Sequence, residues 1–92
     1  MIRIGPAGWA YKDWEVIVYP AKKPKGFDPI AYLARYFDTI EINSSFYGAP
    51  RPSAAKNWAE RVESNNRFAF TSKLYQGFTH KKNATAQDER DF

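Results

Sequence analysis

The chain has 92 residues, enough for at most one domain, and its 43% hydrophobic and 17% aromatic content is that of a folding chain, not a disordered one. Its charge is mildly basic, 14 Lys and Arg against 10 Asp and Glu for a net +4, which permits an anionic ligand or nucleic acid without requiring one. There is no cysteine, which excludes disulfides, thiol catalysis and zinc ribbons; with no apolar signal core after Met1 and no run near the roughly 18 apolar residues of a membrane span, a cytoplasmic location away from membranes is expected.

Ile2-Arg3-Ile4-Gly5 alternates as a short strand with Ile2 and Ile4 on one face, and Pro6 and Gly8 stop it. Trp9, Tyr11, Trp14 and Tyr19 follow at irregular spacing, ending at Pro20. That is a structured loop whose large aromatics either cap a core or line a pocket. Ala21 to Gly26 is a basic turn carrying Lys22, Lys23 and Lys25, best read as a solvated loop. Asp28 then serves as N-cap and Pro29 as first residue of a helix, whose apolar face is Ile30, Leu33, Ala34 and Phe37.

Thr39 to Asn43 reads as a second strand, with Ile40 and Ile42 on one face and Glu41 and Asn43 on the other. A carboxylate and an amide on an otherwise buried strand are costly unless something pairs with them, so they mark either a structural network or a site. After the rigid turn Tyr47 to Pro52, Ser53 is the expected N-cap of a helix presenting Ala55, Trp58, Ala59 and Val62. Arg67 to Lys73 alternates as a third strand, Phe68 and Phe70 against Ala69, Thr71 and Lys73. Leu74 to Phe92 is polar and loop-like, holds the lone histidine, His80, beside Lys81 and Lys82, and has room for a helix beginning at Asp88.

Strand, loop, helix, strand, helix, strand is the order of an α/β protein with parallel strands, on the way to either an open doubly wound sheet or a TIM-type (β/α) barrel. Three parallel strands are expected in the order 1-2-3, with both helices on one side.

Several separated motifs occur together: Gly8-Trp9-Ala10-Tyr11-Lys12-Asp13-Trp14, Tyr19-Pro20, the run Phe37 to Tyr47 (Phe-Asp-Thr-Ile-Glu-Ile-Asn-Ser-Ser-Phe-Tyr), Phe68-Ala69-Phe70 with Lys73, and Thr79-His80. In this order, over about residues 3 to 82, the chain resembles the N-terminal part of the DUF72 (YecE-like) family. The resemblance implies a TIM-type barrel of roughly 250 residues. Residues 1–92 would then be a single incomplete domain, about the first three parallel strands and two helices. One departure is Val16, at a position where the family carries Gly; if that Gly serves a positive φ, Val16 is strained.

Barrel sites lie at the C-terminal strand ends. That rule selects Gly8 and Trp9 after strand one, Glu41, Asn43 and Tyr47 at strand two, and Lys73 and His80 at or after strand three; Trp9, Tyr11, Asn43 and Tyr47 are the candidate ligand-binding residues. Glu41, Lys73 and His80 are the candidate catalytic residues, Glu41 as general base or as ion-pair partner of Lys73, and His80 as second donor or acid-base group. One His and no Cys cannot alone form a typical transition-metal site, although further barrel strands could add ligands, and the sequence leaves the cofactor unknown. The leading expectation is a binding or catalytic site for a phosphate-bearing ligand, nucleic acid among the candidates. Its rivals are an enzyme on a small polar metabolite or sugar, and an inactive structural fragment. An isolated segment of this kind is expected to self-associate.

Overall fold

A computed structural model describes residues 1–92. The apolar pattern of the sequence builds a small α/β layer. Two parallel strands, β1 (Thr39–Ile42) and β2 (Ala69–Ser72), pair in register with Ile40 opposite Phe70 and Glu41 opposite Thr71. Helices α1 (Pro29–Leu33) and α2 (Pro52–Arg61) pack on one face. There Ile30, Leu33, Ala34, Ile40, Val62 and Tyr19 form the core, with Phe68, Phe70, Trp9 and Trp58 packed against it. A third helix, α3 (Ala86–Asp91), closes the described chain.

The first strand is where sequence and structure differ most. Ile2 and Ile4 are exposed, at 86% and 74%, and form no strand. Pairing with β1 is reduced to one parallel bridge two residues beyond the expected strand, Ala7 to Glu41. Glu41 N–H donates to the Pro6 carbonyl (3.0 Å) and Gly8 N–H to the Glu41 carbonyl (2.9 Å). The physical reason is Pro6. Continuing the ladder backward would require an N–H at Pro6 for the Thr39 carbonyl, and proline has none. Gly5 then lies so close to that strand that a Cβ would sit 1.8 Å from the Thr39 carbonyl oxygen. The spatial order, first segment then β1 then β2, and the parallel direction are those expected from the chain order.

The cap of α1 forms as its sequence predicts, with Asp28 accepting from the N–H groups of Ile30 (3.1 Å) and Ala31 (3.4 Å). The helix is shorter than the apolar repeat suggests. After Leu33 it tightens, Tyr36 N–H donating to the Leu33 carbonyl three residues back. Arg51, not Ser53, is the N-cap of α2, because Pro52 already fits the first helical position. Its inward face is Ala54, Trp58 and Val62, whereas Ala55 and Ala59 are exposed. The tail is less irregular than its composition suggests. Thr85 and Asp88 form a reciprocal capping box that starts α3 two residues before Asp88.

Asp28 also joins the two helices. Arg61, at the end of α2, donates through Nε to the Asp28 carboxylate (2.8 Å) and through its terminal nitrogen to the other oxygen, a two-point ion pair. The Arg61 guanidinium, with two backbone N–H donors, holds the Asp28 carboxyl below its ordinary value of 3.8.

Candidate functional site

At the C-terminal end of the strands, the sharp turn after the first segment needs a positive φ, which Gly8 supplies at 73°. The bare α-carbon also leaves room for its neighbours. A Cβ there would lie 2.8 Å from the Tyr11 hydroxyl and 3.0 Å from Asn43 Nδ2. Tyr11 donates to the Ala7 carbonyl (2.5 Å), and Asn43 Nδ2 donates to the Tyr11 oxygen (3.1 Å). A carbonyl cannot donate, so the Tyr11 proton is committed to Ala7 and the Asn43 amide group must be the donor in the second bond. This orientation leaves Asn43 Oδ1 buried without a partner, a cost of about 1–3 kcal/mol.

Gly8, Trp9, Ala10, Tyr11, Asn43 and Ser44 line an open cleft of about 290 Å³. Its walls are tied to the core through aromatic rings. Tyr11 packs on Trp14 with centroids 4.6 Å apart, and Trp9 meets Trp58 edge-on at 5.7 Å. Tyr19 is buried and donates to the Trp9 carbonyl at 2.5 Å. Burial, aided by the charge of Glu15, pushes the Tyr19 hydroxyl up to about 12, so it is a neutral donor through the whole neutral range. Tyr19 therefore holds this loop from within the core.

The loop passes through Val16 at φ 72°. That is the positive φ at which Val16 was expected to be strained, and a β-branched residue there is an outlier. Val16 and Ile17 are both exposed, so neither apolar side chain offsets the cost through burial.

The other sequence-selected residues fall into separate groups. Glu41 is half-buried on the face away from the helices, where Arg3, Thr39 and Thr71 line the same open cleft of about 450 Å³. It makes no ion pair, so the expected bridge to Lys73 does not form. Lys73 is exposed at the end of β2, its N–H donating to the Ile42 carbonyl at 3.0 Å. Because Ile42 pairs with Ser72, Asn43 and Lys73 are the next residues on the two neighbouring strands. Tyr47 and His80 flank Phe46, both edge-on, at 5.4 and 5.2 Å. His80 Nδ1 lies 3.0 Å from the Thr79 hydroxyl. Trp9, Tyr11 and Asn43 thus share one cleft, Glu41 lines another, and Tyr47 and His80 stand together outside both.

Sequence reasoning missed two residues that hold this end together. Ser45 is fully buried, its hydroxyl 2.7 Å from the Lys73 carbonyl and 3.0 Å from the Ile42 carbonyl, so it clamps the ends of β1 and β2. Asn65 donates to the Ala34 carbonyl (2.9 Å) and to Asp38 (3.1 Å) and accepts from Arg67 N–H (3.0 Å), joining the end of α1 to the start of β2. Small polar residues next to strand ends were the available signal in both cases. No three His, Cys, Asp or Glu side chains come together to hold a metal ion.

Residues 3–92 match the family described as "Protein of unknown function DUF72". The chain belongs to the DUF72 family. Among curated proteins, this DUF72 chain is similar to the UPF0759 protein YecE of Escherichia coli strain K12, 29% identical over 70 residues. The YecE protein of Escherichia coli O157:H7 matches to the same extent. The alignment covers 76% of this chain but 23% of those proteins, so the chain spans about a quarter of the length of the curated relatives it matches. No solved structure matches the chain. No helix is long and apolar enough to cross a membrane.

Proposed function

We propose that this chain is the opening part of a TIM-type barrel, and that the row Gly8, Asn43, Lys73 forms one wall of a site for a small phosphate-bearing ligand. The observation that carries this reading is the register at the strand ends. Asn43 and Lys73 directly follow the paired residues Ile42 and Ser72. An amide donor and an ammonium group therefore stand on strands about 4.8 Å apart, with Ser45 fastening the two ends. In barrels of this kind the C-terminal strand ends carry the chemistry. A fixed amide donor beside a mobile cation suits phosphate, which lysine binds as a point charge. His80, which stands beside Phe46 outside the cleft, is the candidate second donor or proton carrier.

One observation favours a second reading, an enzyme acting on a small polar metabolite with Glu41 as general base. The Glu41 carboxylate has neither an ion-pair nor a hydrogen-bonding partner, and it faces a cleft beside Thr39 and Thr71. Such a base must reach the proton it removes. The two readings make different demands on Lys73.

The test is equilibrium binding of inorganic phosphate and of a short single-stranded oligonucleotide, each over a series of salt concentrations. Lys73→Ala is expected to weaken phosphate binding about tenfold, the loss of one charge-assisted contact, and Lys22→Ala to leave it unchanged. Equal losses from both variants would mean diffuse charge only and defeat the proposed wall. Tighter binding of the oligonucleotide with a steep salt slope would identify nucleic acid as the ligand. A Glu41→Gln variant that alone abolishes turnover, with phosphate binding absent throughout, would favour the second reading.

A further inference from the structure

The cleft beside Asn43 has no phosphate-binding cation among its own lining residues. Three features say what it would hold. Its volume, about 290 Å³, is at the low end of ligand clefts and suits a single small ring. Two of its lining residues are aromatic, Trp9 and Tyr11, each packed against a second ring, Trp58 and Trp14. Its rim is polar and uncommitted. The Ser44 side chain is exposed, the Asn43 amide has a second N–H beyond the one given to Tyr11, and the backbone N–H groups of Trp9 and Ala10 have no acceptor within the chain.

An aromatic lining with scattered hydrogen-bonding groups around it is complementary to a ring that has one apolar face and several hydroxyls. A bare apolar ring would leave the rim unpaired, and a charge would find no counter-charge. We infer that the cleft is a sugar subsite, so that the ligand bridging it to Lys73 is a sugar phosphate. This rests on the phosphate reading above and extends it by naming the group the phosphate is attached to.

The geometry fixes the division of labour. The sugar ring lies against Trp9 and Tyr11, its hydroxyls paired by Asn43 and Ser44, and the phosphate extends along the strand ends toward Lys73. Tyr11 is a positioning residue as well as a wall. Its hydroxyl orients the Asn43 amide, so removing that hydroxyl frees the amide to rotate without emptying the cleft. Preorganisation of this kind lowers the ordering cost of binding.

The experiment is isothermal titration calorimetry of the 92-residue chain with ribose 5-phosphate, inorganic phosphate and ribose, with tryptophan emission recorded alongside because Trp9 lines the cleft. Ribose 5-phosphate is expected to bind at least tenfold tighter than inorganic phosphate and to change the emission where inorganic phosphate does not. Tyr11→Phe should weaken ribose 5-phosphate about tenfold and inorganic phosphate, which keeps its Lys73 contact, by clearly less, while Lys73→Ala should weaken both. Equal affinity for inorganic phosphate and ribose 5-phosphate would overturn the sugar subsite and leave the phosphate reading standing. Ribose binding as tightly as its phosphate, unaffected by Lys73→Ala, would keep the subsite and overturn the phosphate reading. Binding of none of the three would overturn both. The comparison of the three probes on the unmodified chain decides the matter even if a variant fails to fold, which far-UV circular dichroism would report.

Discussion

Two residues carry opposite energetic signs. Val16 sits at φ 72° with its side chain in water, so it contributes strain and little burial. Glycine there should raise stability by about 1 kcal/mol, the cost of the left-handed region for a side-chain-bearing residue less the extra entropy of glycine in the unfolded chain. For a chain of this size that is a rise in Tm of about 4–8 °C. Thermal unfolding of Val16→Gly beside Val16→Ala checks it, since alanine keeps a Cβ and should recover little. Asp28 has the other sign. It caps α1 and grips Arg61, and its carboxyl is held below 3.8, first by the Arg61 hydrogen bonds. A depressed folded pKa means the unfolded chain binds the proton more readily. The stabilisation is therefore present above pH 4 and is lost as pH falls through the folded value. Wild-type stability should drop below pH 4, and an Asp28→Asn variant, which keeps a capping oxygen but not the charge, should lose that part of the acid sensitivity. An unchanged acid slope in the variant would show that other carboxylates govern it.

At the scale of elements, the parts legible in the sequence were those set by local chemistry. Asp28-Pro29 announced the start of α1, the alternation of Ile40 and Ile42 with Glu41 set the faces of β1, and Phe68 and Phe70 marked the core side around β2. What failed depended on backbone pairing. Ile2 and Ile4 alternate like a strand, but the residue that decides pairing is Pro6, which removes the N–H the ladder needs. Ser53 was outcompeted as a cap by the proline before it. At the candidate site, the strand-end rule selected the residues, but it could not say which of them share a cleft. That grouping follows from the Tyr11, Asn43 and Ala7 bonds, which join segments more than thirty residues apart. Ser45 and Asn65 stayed hidden for the same reason, since their partners are the carbonyls of distant strands and helices.

The whole molecule is open for its size. Its radius of gyration is 15.0 Å, against roughly 12 Å for a compact chain of this length. Its accessible surface is 6855 Å² for 10.6 kDa, where about 5,500 Å² is usual. Only 9 of 92 residues are buried, so the core is thin relative to the surface it must hold. The excess lies where Ile2, Ile4, Ile17 and Tyr36 meet water and where β2 has a free edge: the parallel ladder commits the backbone groups of Ala69 and Lys73 to β1 and leaves those of Phe70 and Ser72 pointing away from it. The surplus, roughly 1,400 Å² on one chain, exceeds the about 800 Å² that each partner of a standard protein interface buries. Sedimentation velocity over a range of concentrations should therefore find self-association of the 92-residue chain at micromolar levels. A stable monomer there would mean that the chain tolerates its own open edges.

The claim that most needs testing is that phosphate binds at the strand ends and not on the basic loops. Backbone amide chemical shifts, followed while inorganic phosphate is added, report this residue by residue. The account predicts the largest shifts at Asn43, Ser44 and Lys73, saturating together with one dissociation constant, and little change at Lys22, Lys23 and Lys25. Shifts confined to those three lysines, or spread evenly over all exposed basic residues without saturation, would contradict it.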